Sequence, residues 1–134
     1  LPVPICRTGR RLDAGGKRLQ ALAEWHWGGG ADYCAACRDL GNSCGEDQDR
    51  GLCPYRQHRP LTLEGELVWQ VALAGQMQLR ASFGGLLGFD LPALMELGEA
   101  MGVERKALAA FLPYIERGLL AGVEKARRQG SDSH

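Results

Sequence analysis

The sequence carries no surplus of charge: Lys+Arg and Asp+Glu both number 16. Such a balance gives little support to general nucleic-acid binding, which relies on basic surface to displace counterions. Also missing is any run approaching the roughly 20 apolar residues that cross a bilayer. The opening LPVPICRTGRR puts charge after a very short apolar segment, the reverse of an export signal. A cytoplasmic protein is therefore expected, in a compartment where thiols stay reduced. Alternating β-branched runs are scarce, internal repeats and low-complexity tracts are lacking, and no cysteine follows residue 53.

A convincing catalytic set is lacking too, so no enzyme is expected. His26 has no evident Ser, Cys and Asp companions for a nucleophilic triad. Glu96, Glu99 and Glu104 read as a solvated helix face. GGLLGFD, from Gly84 to Asp90, invites comparison with a phosphate loop, but a helical segment precedes it and no Lys-Ser/Thr pair follows. It reads instead as a helix-to-helix turn capped by Asp90.

What the chain does contain divides near Pro60. Hydrophobic residues make up 45% of it, enough for a real core. Upstream lie all five cysteines, and downstream lies a helix-rich segment. The expected organisation is an N-terminal lobe over residues 1–59, a helical domain over 60–130 and a disordered tail at 131–134. The expected class is mostly α: a small helical domain with a cysteine-rich, zinc-stapled loop region.

Residues 11–25 place Leu19, Leu22 and Ala23 at helical spacing, with Gly15 and Gly16 weakening the first turn and Gly28 to Gly30 ending it. The cysteine stretch reads as loop with one short turn at 35–40. Thr62 caps a helix whose apolar positions Leu63, Leu67, Val71, Ala74 and Met77 carry it to about Arg80. Asp90 caps the next helix, with Pro92 in its first turn and Gly102 closing it. A third piece runs from Val103 to Phe111, is interrupted by Pro113, and resumes from Tyr114 to the EKARRQG end.

The cysteines are spaced Cys34-x2-Cys37-x6-Cys44-x8-Cys53. The first pair has the spacing with which two thiolates grip one tetrahedral ion; the second pair does not. Almost no apolar residue lies between Cys44 and Cys53, so the loop needs a staple. Zinc held by Cys34, Cys37, Cys44 and Cys53 fits best, ahead of disulfides, an iron–sulfur cluster or unrelated thiols. Four thiolates would close the site and make the metal structural. His58 is an alternative ligand that four thiols make unnecessary, and Cys6 reads as a half-buried thiol. Trp25-His26-Trp27 resembles a binding box but reads first as the cover of a small core. The basic stretch holding Arg7, Arg10, Arg11, Lys17 and Arg18 reads as a solvated tail, or else as the nucleic-acid contact of a small zinc-binding regulator.

From Val68 to Val103 an aromatic-led helical stretch ending in Gln76-x-Gln78-x-Arg80 meets a Gly-Gly-x-x-Gly-hydrophobic-Asp turn and then an apolar helix. Trp69, Gln76, Gln78, Arg80, Gly84, Gly85, Gly88, Phe89 and Asp90 fill those places. Over residues 65–125 this resembles a family of small tailed-phage and prophage proteins akin to the tail-assembly chaperones of long-tailed phages. It departs from that pattern in Phe89, where Leu is expected, and in its longer cysteine-rich upstream segment. The resemblance implies a phage-encoded, non-enzymatic protein of the bacterial host cytoplasm that binds tape-measure or major tail subunits. Its partner surface would include Trp69, Arg80, Phe83, Gly84, Gly85, Gly88, Phe89 and Asp90. Nucleic acid and membrane are not expected partners, and an oligomer is compatible with the pattern. Met77, Met95 and Met101, with Phe83 and Phe89, either furnish an adaptable apolar patch or pack the helices together.

Overall fold

A computed structural model describes residues 3–39 and 54–132. Its elements run α1 (Val3–Trp25), a kinked segment (His26–Gly30), α2 (Ala31–Asp39), α3 (Pro54–His58), α4 (Leu63–Ala74), β1 (Leu79–Ser82), β2 (Gly85–Phe89), α5 (Leu91–Ala100) and α6 (Arg105–Asp132). The protein is mostly helical. No helix among the described residues is long and apolar enough to cross a membrane.

The core gathers Leu19, Leu22 and Ala23 from α1, Val68, Trp69, Val71 and Ala72 from α4, Phe89, Leu94 from α5, and Leu108, Phe111, Leu112, Ile115 and Leu119 from α6. It therefore crosses the compositional boundary at Pro60. Helices α1 and α6 lie side by side and run in the same direction: Gly15 faces Phe111, Gly16 faces Tyr114, and Gly122 faces Glu24 and Gly28. At Gly118 a Cβ would overlap the Gln20 carbonyl and the Ala23 methyl. The two backbones approach this closely because that position has no side chain. Gly15 and Gly16 thus sit inside α1, which begins well before residue 11, and their bareness admits the Phe111 and Tyr114 rings.

Several expectations are corrected. Helix α4 begins at its Thr62 cap, whose Oγ1 accepts the Gly65 N–H at 3.0 Å, but it stops at Ala74 rather than near Arg80. Gly75 packs so tightly on Leu94 and Leu97 that α5 crosses where the next turn would go. The buried face of α4 is also not the expected one. Leu63 is 70% exposed, while Gly65, Val68, Trp69, Val71 and Ala72 face inward, because the large Trp69 ring sets which side turns to the core. Residues 79–89 form an antiparallel β-hairpin instead of a helix-to-helix turn. Helix α6 passes through Pro113 without a break. Proline removes one donor, but Phe111, Leu112 and Ile115 around it are all buried, and their packing holds the helix together. In the cysteine region, α2 is a nine-residue helix rather than a single turn.

Other features agree with the sequence. The direction of α1 breaks at Gly29, whose φ of 123° no ordinary helix residue adopts. Asp90 Oδ1 accepts the Ala93 N–H at 3.3 Å and so starts α5. Gly102, at φ 86°, ends that helix, with the Val103 N–H returning to the Gly98 carbonyl at 2.9 Å. Of the expected tail at 131–134, the first two residues instead belong to α6, which continues to Asp132, and residues 133–134 lie outside the described residues.

Candidate functional site: an apolar hairpin on an aromatic base

The three residues of Trp25-His26-Trp27 turn to two sides. Trp25 meets Tyr33 of α2 at 6.5 Å between ring centroids, Tyr55 of α3 at 6.3 Å and His58 at 6.4 Å. His26 and Trp27 instead stand on Trp69, each with ring centroids 5.4 Å away. Trp27 continues to Phe89 at 6.1 Å, and its indole N–H donates to Gln76 Oε1 at 3.4 Å. Edge-to-face contacts of this kind add to simple area burial. Burial among these rings holds the His26 pKa below its ordinary value, because it disfavours the imidazolium.

The hairpin rises from this base. Leu79 pairs with Phe89, Arg80 with Gly88, Ala81 with Leu86 and Ser82 with Gly85, with a bulge between Arg80 and Ala81. Phe83 and Gly84 form the two-residue tip, where Ser82 Oγ accepts the Gly84 N–H at 3.2 Å. At the base, the Asp90 N–H donates to the Gln78 carbonyl at 2.9 Å. The next N–H along, that of Phe89, points away from β1 and donates to Glu116 Oε2 of α6 at 3.0 Å. Gly88 has φ 143°, and a Cβ there would strike the Glu116 carboxylate. Glycine is thus required twice over, by conformation and by space. The outer edge of β2 is in this way covered by α6, and β1 is exposed along its length.

Of the residues assigned to a partner surface, Trp69, Gly88 and Phe89 are buried and support the hairpin from beneath. Phe83 is fully exposed at the tip, Leu87 is 57% exposed and Met77, just before β1, is 84% exposed. Arg80, Gly84 and Gly85 are also exposed, and Asp90 is half-buried as the α5 cap. Arg80 is the sole charge between Met77 and Phe89, and it forms no ion pair with the described residues. Met101 is 45% exposed and Met95 half-buried. On α5 and the start of α6, Leu91, Pro92, Met95, Glu96, Glu99 and Arg105 line an open groove of about 530 Å³. Glu99 is held by Arg105 at 3.0 Å, whereas Glu96 has no ion partner among the described residues. Glu116 escaped the sequence reading. It lies 27 residues beyond the N–H it receives, and no local pattern marks it.

Cys34 and Cys37 lie one turn apart on α2, both half-buried. Cys44 and Cys53 fall outside the described residues, as does the side chain of Cys6. Among the described residues no group of three or more His, Cys, Asp or Glu is placed to hold a metal ion. The described geometry does bring the two flanks of the cysteine stretch together. Tyr33, next to Cys34, and Tyr55, two residues after Cys53, both rest on Trp25.

Residues 80–132 match the model of a family of unknown function (DUF7697). That segment comprises most of the hairpin together with α5 and α6. No curated protein and no solved structure matches the chain.

Proposed function

We propose that the protein is a non-enzymatic interaction protein that acts as a tail-assembly chaperone of long-tailed phages does, binding tape-measure or tail-tube subunits in the host cytoplasm. The observation that supports this most is the hairpin. The residues carrying the resemblance, from Trp69 to Asp90, build an element that exposes Phe83, Leu87 and Met77 while its base is locked by Phe89 and Glu116. A firmly seated apolar projection is a surface for another protein.

The test is co-expression of the full chain with the tape-measure and major tail proteins of the same genome. Capture of either one, lost in Phe83→Ser, is the expected result. Failure to capture either, together with a salt-dependent shift of DNA mobility, would overturn the reading in favour of a nucleic-acid regulator.

A structural zinc held by Cys34, Cys37, Cys44 and Cys53 belongs to the same reading, supported by the meeting of both flanks on Trp25. Metal analysis of protein made under reducing conditions should find one zinc per chain. Cys34→Ser or Cys37→Ser should lose it while the helical signal of α4 to α6 survives. Iron and a brown colour would mean a cluster instead, and no metal at all would sink this part.

A further inference from the structure

We infer that two copies of this chain associate by exchanging hairpin tips, Phe83 of each seating in the α5 groove of the other with Arg80 opposite Glu96. Both halves of the contact are present on one molecule. The hairpin offers a fully exposed phenyl ring and a single cation without an ion partner among the described residues. The groove offers an apolar floor of Leu91, Pro92 and Met95, and at its side Glu96, also without an ion partner among the described residues. Its volume of about 530 Å³ leaves room for an aromatic side chain. The second acid of the groove, Glu99, is already neutralised by Arg105, so Glu96 is the charge left for an incoming cation.

The chain as a whole has no net charge, so long-range repulsion does not oppose pairing of like molecules. Direct edge-to-edge pairing of two β1 strands is less well matched, because it brings two arginines together on a strand with no acid. Hairpin and groove are adjacent in the chain, since β2 leads through Asp90 into α5. An exchange of tips is therefore self-complementary and can close as a two-fold dimer. The inference concerns only the hairpin and α5 and does not depend on which client is bound; because Phe83 also serves the proposed client contact, self-association and client capture compete for it.

The test is sedimentation velocity of the full chain over a range of concentrations, with circular dichroism to confirm folding. A monomer–dimer equilibrium is expected for the natural chain. Phe83→Ser should abolish it without loss of helix, since the ring is fully exposed at the tip. Arg80→Glu and Glu96→Arg should each weaken self-association roughly tenfold or more, because each sets like charges against one another. Mixed one to one, these two variants should associate again, since both cross-pairs then carry opposite charges. A monomer at every concentration would overturn the proposal. So would a dimer indifferent to Phe83→Ser, or one lost in Phe83→Ser but unaffected by Glu96→Arg, which would point to pairing of β1 edges. Failure of the mixed variants to associate would also overturn it.

Discussion

His26 stands edge-on to Trp69 with Trp27 at its other side, 4.9 Å between ring centroids, and burial there favours the neutral imidazole. Its folded-state pKa lies below the ordinary histidine value, so near that value the unfolded chain binds more protons than the folded one. Stability therefore rises with pH through this range. The contribution is complete above the unfolded pKa of about 6.5 and is lost as pH falls below it. Thermal melts between pH 7.5 and 5.5 should show a declining midpoint. In His26→Gln the decline should be shallower, with tryptophan fluorescence as the readout. Equal slopes in the two proteins would assign the pH dependence to other groups. The histidine was visible in the sequence as part of an aromatic run. That it meets Trp69, 43 positions away, was not, because only the break at Gly29 and the packing of α4 bring the two together.

At the scale of elements, the helix starts were legible because capping is a local event. Thr62 and Asp90 each accept the N–H three residues on, as their residue types and positions suggested. Thr62→Ala and Asp90→Ala should each cost about 1 kcal/mol in urea unfolding. Serine at either site should recover most of the loss. A cap that cost nothing would show that tertiary packing alone fixes that helix start. The helix ends were less legible. Periodicity carried α4 on to Arg80, but the chain turns at Gly75 because Leu94 and Leu97 of a later helix occupy the space. The hairpin was hidden for a related reason. Leu-Arg-Ala-Ser carries little β propensity. What holds the hairpin is distant: Glu116 on the Phe89 N–H, and the aromatic base under Phe89.

For the whole molecule, the decisive contact is the parallel seam of α1 and α6. A Cβ at Gly118 would overlap the α1 backbone, whereas a Cβ at Gly130, near the end of α6, would meet nothing within 4 Å. An alanine at either position raises intrinsic helix propensity by up to about 1 kcal/mol. At Gly130 that gain should appear as slightly higher stability. At Gly118 the added methyl overlaps α1, and overpacking should outweigh the gain, for a net loss of about 1–2 kcal/mol. Opposite signs for Gly118→Ala and Gly130→Ala in denaturant melts are the expected outcome. Equal signs would mean that α1 yields at no cost and that the seam is loose. Leu19, Leu22 and Ala23 share one core with α4 and α6, so such a loss should be felt across both halves of the chain.

Whatever depends on neighbours along the chain could be read before any folding was known. Helical periodicity gave the class, Thr62 and Asp90 gave helix starts, and Gly29 and Gly102 gave points where the backbone must leave the helix. The sequence also showed the motif from Trp69 to Asp90 and the cysteine spacing. Whatever depends on contacts between distant residues took shape in the packing. Trp69 turns inward because other rings stand on it, Pro113 is carried through because its neighbours are buried, and residues 79–89 become a hairpin because α6 supplies a carboxylate to the strand edge. Local signals encode which conformations a segment can adopt. Which of them it keeps, and whether Phe83 ends inside the core or at an exposed tip, is set by packing between segments far apart in sequence.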